Sequence, residues 1–424
     1  MIGKGLHQFL LHQPVLVMLV VGLPVFLANY FAGNPGISGW DPNFYFAYAG
    51  ALADGGTLEL DRAFEAALAR GVDPVAFDLK NRTATGQLVN VYPLGHPLLH
   101  TPATFLGSLV AIVTEGSRNA FGTTAQLFYC VSALLGAGVG IEATRRSLVP
   151  VFGHEACALA VYTTTGCTML GYYWFVLPAH SHSSSVLVTG LAFAVLVRLL
   201  TNPAECLRWY AALGALLGWC VLVRLQDLGC GFLALAALWG IMAAPGLTVS
   251  GRVARALSLV GAGLGVVSIQ LLHWKWKDGT WFMQSYNAPF DFTTSNHWNV
   301  LFSVRHGLFL WHPAMLLALV GVVVALGASS VATRALRGAL WAGLLHGAGI
   351  LLIGGFFTIW WFGDSFGSRP FLSATPVVIA GLAMLWHRAR ERSEELLLGV
   401  VVGTLAMTNA ALALAFHLGW ISRN

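Results

Sequence analysis

Charged residues are scarce in this chain. Of its 424 residues, 57% are hydrophobic and only 10% are charged. A water-soluble domain of this length needs far more charge to cover its surface, so the composition excludes an ordinary soluble protein. The net charge of +5 does not indicate a nucleic-acid partner, because the basic residues occupy short loops between apolar runs and never form a stripe. The sequence predicts an integral membrane protein.

Several motifs are also missing. The six cysteines fall in apolar runs or in one inner loop, which argues against a disulfide framework and against a cysteine-based metal site. A glycine-rich phosphate loop is absent, and so is an Asp-x-Asp motif for a metal–nucleotide complex. A sugar donor activated as a nucleotide is therefore not expected. The first apolar run lacks a small-residue cleavage motif, and we interpret it as a retained first span.

Apolar runs long enough to cross the membrane dominate the chain. We expect an all-α polytopic membrane protein with about eleven transmembrane helices in a single domain, 1–424. The predicted spans are 14–33, 121–142, 153–173, 183–200, 208–223, 226–244, 256–273, 306–328, 338–359, 371–387 and 396–416.

One further run, 97–114, is apolar enough to span but contains His100 and two prolines. If it does not span, just over half of the 23 lysines and arginines fall in short inner loops, as the positive-inside rule requires. If it spans, every later arginine pair moves outside. We therefore predict that 97–114 lies in the interface, that the N-terminus is cytoplasmic, and that the protein resides in a bacterial inner membrane.

Two outer loops are long under this topology, 34–120 and 274–305. In the first, Asp41 followed by Pro42 predicts a helix N-cap and first helical residue, and Gly55-Gly56 predicts the end of that helix. A second amphipathic piece over 60–70 is also expected to lie along the membrane. The second loop alternates tryptophans with lysines, which suits either membrane anchoring or an anionic lipid headgroup.

Asp41 is the leading candidate for chemistry. It is equally well explained as a helix cap and as a carboxylate placed to deprotonate an acceptor hydroxyl at the membrane surface. The two roles are compatible, because a cap residue can still present one free oxygen.

Histidines mark two further outer segments. His96 lies in the rigid turn Val91–Pro97, where it could line a pocket or simply belong to a loop entering a helix. His180 and His182 form a His-x-His motif, but no third ligand is evident nearby, so we expect no metal at this position. Hydrogen bonding to a phosphate or a sugar is the preferred role for these histidines.

Cations lie at the outer ends of three predicted spans. Arg224 and Asp227 interrupt an apolar hairpin, where they could form a structural i,i+3 ion pair or bind a ligand. Arg305 ends the second long loop. Arg369 follows a glycine-rich run that contains Asp364, which suits phosphate capture, although an interfacial turn with an Arg369–Asp364 pair is the alternative.

Taken in order, these segments resemble the GT-C superfamily of polyprenyl-phosphate-sugar-dependent glycosyltransferases. The chain is most similar to bacterial relatives of the protein O-mannosyltransferases and of the aminoarabinose transferases that modify lipid A. The segments that carry the resemblance are Trp40-Asp41-Pro42-Asn43-Phe44-Tyr45, Tyr92-Pro93-Leu94-Gly95 with Pro97-Leu98-Leu99, the run 305–313 and the run 363–369.

The resemblance implies inverting transfer of a hexose or pentose at the outer face, from a donor carried on a polyisoprenyl phosphate. It places the general base or acceptor-positioning group at Asp41, although many members have two adjacent acids where this chain has Pro42 and Asn43. It assigns the donor phosphate to outer-loop cations, for which Arg369, Arg224 and Arg305 match by position.

We expect the remaining polar residues of these segments to contact substrate: Tyr45, Tyr92, His96, His180, His182, Asp227 and Asp364. The acceptor could be a lipid, a glycan or a protein hydroxyl, and membrane lipids are the other expected partners. No cofactor is expected. Two alternatives remain, a transporter or flippase of a lipid-linked or anionic substrate, and a scaffold subunit with a degenerate site. Transport is disfavoured because the candidate residues gather at one face rather than near the midplane.

Overall fold

The computed structural model describes residues 2–32, 36–69, 81–282, 290–328 and 331–421, without the side chains of 2–4 and 331–334. Within these ranges the regular secondary structure is helical apart from two isolated bridges, Arg82 with Leu88 and Phe290 with Phe357. The α-helices are α1 (Ile2–His12), α2 (Pro14–Phe31), α3 (Trp40–Gly55), α4 (Asp61–Ala69), α5 (Gly95–Thr114), α6 (Thr123–Cys167), α7 (Leu170–Phe175), α8 (Ser181–Thr201), α9 (Leu207–Val223), α10 (Gly231–Ala243), α11 (Val249–Asp278), α12 (His297–Phe302), α13 (Leu308–Trp311), α14 (Pro313–Gly327), α15 (Val331–Gly355), α16 (Thr375–Glu391) and α17 (Glu395–His417). Two short 3₁₀ helices, η1 (Leu225–Cys230) and η2 (Arg369–Ala374), precede α10 and α16.

The all-α membrane architecture is confirmed. In the described ranges, nine helices are long and apolar enough to cross a membrane, and α9 and α14 are shorter apolar helices. Two predicted spans, 121–142 and 153–173, fall on the two arms of α6, which are separated by a sharp turn at Gly153, where φ is 82° and ψ is 166°. Each of the eleven predicted spans falls on one of these helices.

Large apolar side chains remain on the surface of several helices, most clearly on α17. Leu396, Val400 and Met407 are exposed there, although they belong to an almost entirely apolar helix. Water would oppose such a surface, whereas lipid tails cover it without cost. The exposed residues therefore agree with a bilayer as the solvent of this fold.

Glycines allow the central helices to approach each other closely. A Cβ atom on Gly140 of α6 would clash with the backbone of Val186 in α8, and one on Gly214 of α9 would clash with the backbone of Leu259 in α11. Small residues at helix crossings are the usual means of close packing in membranes. These contacts hold α6, α8, α9 and α11 as one bundle that supports the site.

One side of the bundle, called here the site face, is where α2 and α9 end and where α6 and α8 begin. Tyr30, near the end of α2, donates a hydrogen bond of 2.6 Å to the carbonyl of Thr123 at the start of α6. Arg224, directly after α9, contacts His182 in the first turn of α8. Helix α3, with Asp41, also lies on this face.

Helix α5 contains the ambiguous run 97–114. It is long and apolar enough to span. Its first residue, Gly95, packs against Leu222 and Val223 at the end of α9, while Thr114 lies 2.7 Å from the hydroxyl of Thr124 at the start of α6. Both ends therefore lie at the site face. These contacts favour a helix along the interface, which stays a prediction.

The first outer loop is organised as expected in part. Gly55 ends α3 and Gly56 adopts the left-handed conformation that closes the helix, as predicted. The second amphipathic piece is α4, Asp61–Ala69. The prediction of Asp41 as N-cap is wrong: α3 begins at Trp40 after Gly39, and Asp41 lies inside the first turn without a capping bond. Parts of both long loops, 33–35, 70–80 and 283–289, lie outside the described residues.

Candidate functional site

Asp41 forms the centre of the candidate site. One of its carboxylate oxygens, Oδ1, accepts a hydrogen bond of 2.6 Å from the Tyr92 hydroxyl. The other, Oδ2, lies 3.1 Å from Nη2 of Arg369. These partners explain why Asp41 does not cap α3, because both oxygens are directed to groups from distant segments. The three residues come from α3, the loop before α5, and η2, so the fold is needed to bring them together.

The electrostatics favour an ionised Asp41. Burial alone would raise the pKa of this carboxyl group, but the charge of Arg369 opposes burial, and so do the hydrogen bond from Tyr92 and the charge of Arg224. The net result is a pKa below the ordinary value. Asp41 therefore carries a negative charge at neutral pH while 23% of its side chain stays accessible.

A second cation stands beside this pair. Arg224 follows the last residue of α9, and its Nη1 atom lies 2.6 Å from Nε2 of His182. Its Nη2 atom donates to the side-chain oxygen of Gln226. The ion pair of Arg224 with Asp227 that sequence spacing allowed is not formed, because Asp227 instead accepts a hydrogen bond of 2.6 Å from Ser185. The guanidinium of Arg224 thus has neutral neighbours.

These groups line one cavity of about 760 Å³ on the site face. The lining residues are Trp40, Asp41, Tyr45, Tyr92, Ser181, His182, Arg224, Gln226, Phe357, Thr358, Ile359, Phe362, Gly363, Arg369 and Pro370. Two guanidinium groups and one carboxylate lie among them, so the lining has one positive charge in excess. A cavity of this size, with apolar walls and a few convergent polar groups, has the character of a ligand site.

Six of the residues selected from the sequence therefore share the cavity, and they come from five separate segments. The shared residues are Asp41, Tyr45, Tyr92, His182, Arg224 and Arg369. The rings of Tyr45 and Tyr92 meet with centroids 4.8 Å apart. Their faces and edges give the wall an aromatic surface next to the charged groups.

The structure places the other selected residues away from the lining. His96 is fully buried, with one ring nitrogen 2.7 Å from Ser184 and the other 2.8 Å from the carbonyl of Ala179. Both nitrogens are therefore occupied within the protein. Asp227 is buried behind Arg224, where it belongs to the support of η1. These two residues contact the groups that support the wall and not the cavity itself.

His180 lies just behind the cavity wall, at the turn before α8. Burial, together with the charge of Arg369, lowers the pKa of this histidine to about 3, although the charge of Asp41 opposes the shift. His180 is therefore a neutral imidazole at physiological pH. It packs edge-on against Tyr173, with centroids 5.7 Å apart, and contributes no positive charge to the site.

Arg305 and Asp364 are also outside the lining. The guanidinium of Arg305 stacks on the ring of Trp361, 3.8 Å from its centroid. Asp364 is exposed on the loop that leads to Arg369. Neither residue reaches the cavity, which makes both of them useful comparisons for Arg369 and Asp41.

Sequence reasoning missed several lining residues, among them Gln226, Ser181 and Phe362. Gln226 lies two residues after Arg224 and Ser181 lies between the two selected histidines, so both could have been found from their neighbours. Phe362 has a positive φ of 60°, which sequence patterns do not reveal. Within the described ranges, no group of three or more His, Cys, Asp and Glu side chains is arranged to hold a metal ion.

No family model and no curated protein sequence matches this chain. Solved structures match in fold. The oligosaccharyltransferase of Archaeoglobus fulgidus in the apo form has a TM-score of 0.55 and 12% identity, covering 97% of this chain and 56% of that chain. The chain has a GT-C-like fold. AglB from the same organism, in complex with an inhibitory peptide and a dolichol-phosphate, has a TM-score of 0.51 and 11% identity, covering 95% of this chain and 56% of that chain.

A third structure, ArnT from Cupriavidus metallidurans bound to undecaprenyl phosphate, has a TM-score of 0.48 and 14% identity. It covers 96% of this chain and 75% of that chain. At identities this low, the likeness shows a common architecture rather than a common substrate. The chain spans only 56% of the length of the archaeal oligosaccharyltransferase structures.

Proposed function

We propose that this protein is a membrane glycosyltransferase. It moves a sugar from a polyisoprenyl phosphate to a hydroxyl acceptor on the extracytoplasmic side. The observation that carries the proposal is the cavity in which Asp41 faces Arg369 and lies within the electrostatic reach of Arg224. The GT-C-like fold supports the same reaction class, since a matched structure contains a dolichol-phosphate.

The charge of the cavity suits this donor. A sugar linked to a polyisoprenyl phosphate carries one negative charge on its phosphodiester, and the lining has one positive charge in excess. Guanidinium groups bind phosphate oxygens with paired, directional hydrogen bonds. Arg369 and Arg224 are therefore the residues we assign to the donor phosphate. Arg305, which stacks on Trp361, has at most a supporting role.

The reaction requires no redox chemistry. The acceptor oxygen attacks the anomeric carbon from the side opposite the phosphate, which inverts the configuration. The bond between the anomeric carbon and the phosphate oxygen breaks, and its electron pair stays on that oxygen. The hydroxyl proton moves to Asp41. The leaving phosphate gains a negative charge, which the two arginines stabilise as it develops.

The Asp41–Arg369 ion pair has a consequence for the order of these events. While Arg369 faces Asp41, its charge keeps the pKa of the carboxyl group low, which makes the carboxylate a weak base. A donor phosphate that attracts Arg369 would remove part of that influence and add a negative charge nearby. Both changes raise the pKa of Asp41. Donor binding thus prepares the base for the acceptor.

The acceptor class follows from the shape of the site. Two long segments, 34–120 and 274–305, are the main polypeptide beyond the bundle on the proposed outer side. A lipid or glycan hydroxyl suits this arrangement better than a folded protein acceptor, because a cavity with apolar walls beside an apolar bundle admits a membrane-bound substrate. We therefore favour a lipid or glycan acceptor.

The experiment uses two carboxylates near the site. Purified protein in lipid nanodiscs is assayed for transfer from undecaprenyl-phosphate sugars to membrane lipid and glycan acceptors. Asp41→Asn should lower turnover by about 10²- to 10⁴-fold, the usual contribution of a general base. Asp364→Asn, a matched change on an exposed carboxylate of the Arg369 loop, should leave turnover unchanged.

Wild-type turnover in Asp41→Asn would remove Asp41 from the mechanism. Movement of the intact donor across the bilayer without formation of a glycan product would contradict the proposed reaction and point to a transporter.

A further inference from the structure

Both cavity arginines introduce a short 3₁₀ helix. Arg224 directly precedes η1, Leu225–Cys230, and Arg369 is the first residue of η2, Arg369–Ala374. A single 3₁₀ turn has poor hydrogen-bond geometry and does not hold itself in place. The position of each guanidinium therefore depends on what anchors the helix that follows it.

A single residue, His346 of α15, contacts both of these helices. One of its ring nitrogens, Nε2, lies 2.9 Å from the hydroxyl of Ser373 in η2. The imidazole also lies 3.8 Å from the sulfur of Cys230 in η1. All three side chains are buried, with 2% or less of each residue exposed. His346 therefore joins the segment behind Arg224 to the segment behind Arg369.

The backbone at this junction is shaped around the imidazole. A Cβ atom on Gly229 would lie only 2.8 Å from Nδ1 of His346, so the glycine leaves room for the ring. On its other side, η1 is tied to α8 because Asp227 accepts a hydrogen bond from Ser185. Helix α8 also carries His182, which contacts Arg224. Each arginine is thus followed by a helix that is fixed to the bundle.

A polar side chain inside an apolar helix is costly unless it is bonded, and in membrane proteins such residues usually serve function. His346 belongs to a helix of mainly apolar residues and is not part of the cavity lining. It contacts the two 3₁₀ helices that follow the cavity arginines, which indicates a role in positioning them.

We propose that His346 is a positioning residue that sets the separation of Arg224 and Arg369, so that both guanidinium groups engage one phosphate. This inference rests on the proposed function, because it needs a phosphate in the cavity. Binding groups displaced by about 1 Å can lose up to 10²-fold in efficiency. A residue that holds the segments of both arginines therefore has a large effect on a site in which both bind one phosphate.

The test measures binding of undecaprenyl phosphate, without a sugar, to the full-length protein in phosphatidylcholine nanodiscs. His346→Ala should raise the Kd between about 10-fold and 100-fold. His346→Gln can still bond Ser373 and should recover part of the loss. His100→Ala is the control, because His100 is also buried and bonded to serines but touches neither η1 nor η2.

A double-mutant cycle separates positioning from general loss of stability. In the wild-type background, Arg369→Gln should weaken binding strongly. In the His346→Ala background the same change should have a much smaller effect, because the arginine is already displaced. If His346 serves only the stability of the fold, both backgrounds show the same loss, thermal unfolding shifts equally in His346→Ala and His100→Ala, and the inference is overturned.

The outcomes also separate this inference from the function it rests on. Wild-type protein that binds no undecaprenyl phosphate would overturn the proposed function and the positioning role together. Wild-type protein that binds it, with His346→Ala binding equally well, would overturn the positioning role alone.

Discussion

The two ends of the helical bundle handle their arginines differently. Away from the site face, Arg145 and Arg146 in α6 both bond Glu142, one turn earlier in the same helix, at 2.7 and 2.6 Å. Arg198 pairs with Glu205 at 2.9 Å. At the site face, Arg369 instead pairs with Asp41, which lies more than 300 residues earlier in the chain.

This difference distinguishes two roles for charge in a membrane protein. Arginines paired with a carboxylate a few residues away are satisfied by their own segment, which suits residues that set orientation. Arg224, by contrast, contacts the neutral side chains of His182 and Gln226. A cavity that gathers two cations around one carboxylate keeps a positive charge for a ligand. Arg224 is therefore held in the cavity by neutral partners, which leaves its charge available to a ligand.

The largest difference in transfer rate between the two ends of the bundle is expected when one arginine is removed at each end. Arg369→Gln should reduce transfer about 10²-fold, since the developing charge on the phosphate loses a preorganised partner. Arg390→Gln removes a cation at the other end, where it pairs with Glu155, and should leave transfer unchanged. The transfer activity of both variants is measured as initial rates at saturating and at limiting donor concentrations. Equal losses in the two variants would abolish the distinction.

The pH dependence of the reaction should report the Asp41–Arg369 pair. Asp41 must be ionised to act, and in the free protein its pKa is lowered, so kcat/KM should decline only at pH values below the ordinary range for a carboxyl group. The acid limb of kcat, which reports the donor complex, should lie at higher pH. In Arg369→Gln the acid limb of kcat/KM should also move to higher pH, because the positive charge that lowers the pKa of Asp41 is lost.

Rate profiles over acidic pH with the wild type, Arg369→Gln and Arg390→Gln provide the measurement. Coincident limbs in all three proteins would mean that Asp41 is not the titrating base.

A smaller effect is expected from Tyr92→Phe. The change removes the hydroxyl that donates to Asp41 and keeps the aromatic ring in the wall. One hydrogen bond is worth about 1 kcal/mol, which corresponds to roughly a fivefold change in kcat/KM. Tyr210→Phe is the matched control, since the Tyr210 hydroxyl bonds the Pro203 carbonyl away from the cavity. A loss in the control as large as in Tyr92→Phe would show that the bond to Asp41 is unimportant.

The smallest effect concerns the end away from the site. Arg146→Gln removes one of two arginines on Glu142, and the Arg146 side chain is 71% exposed. Ion pairs of this kind contribute about 0–1 kcal/mol, so thermal unfolding should change little and transfer should stay at the wild-type rate. A large loss of transfer in this variant would show that charges at both ends serve the reaction.

Much of the fold could be predicted from the sequence because it depends on local properties. The apolar runs of membrane length and the helix end at Gly55-Gly56 can both be recognised from consecutive residues. The predicted start of α3 was wrong because it depends on distant residues. The Asp41 carboxylate bonds Tyr92 and Arg369, and neither contact can be inferred from the residues next to Asp41. The turn at Gly153, by contrast, separates the two predicted spans 121–142 and 153–173.

The candidate site was predictable in part of its membership and not in its geometry. Charged and aromatic residues at the ends of apolar runs identified Asp41, Arg224 and Arg369, since such residues are expensive in a membrane. Which of them meet depends on helix packing, so the sequence could not separate Arg369, in the cavity, from Arg305, which stacks on Trp361. The hydrogen-bond partners of His96 could not be predicted either, because they also depend on helix packing.

The identity of the lipid held in the cavity is the most direct test of the proposed glycosyltransferase. The wild type and Arg369→Gln are extracted from the membrane in mild detergent, and the lipids that remain bound are identified by native mass spectrometry. We expect a polyisoprenyl phosphate or its sugar conjugate on the wild type and a strongly reduced amount on Arg369→Gln. A wild-type protein that retains ordinary phospholipids alone, even after incubation with undecaprenyl phosphate, would contradict this proposal.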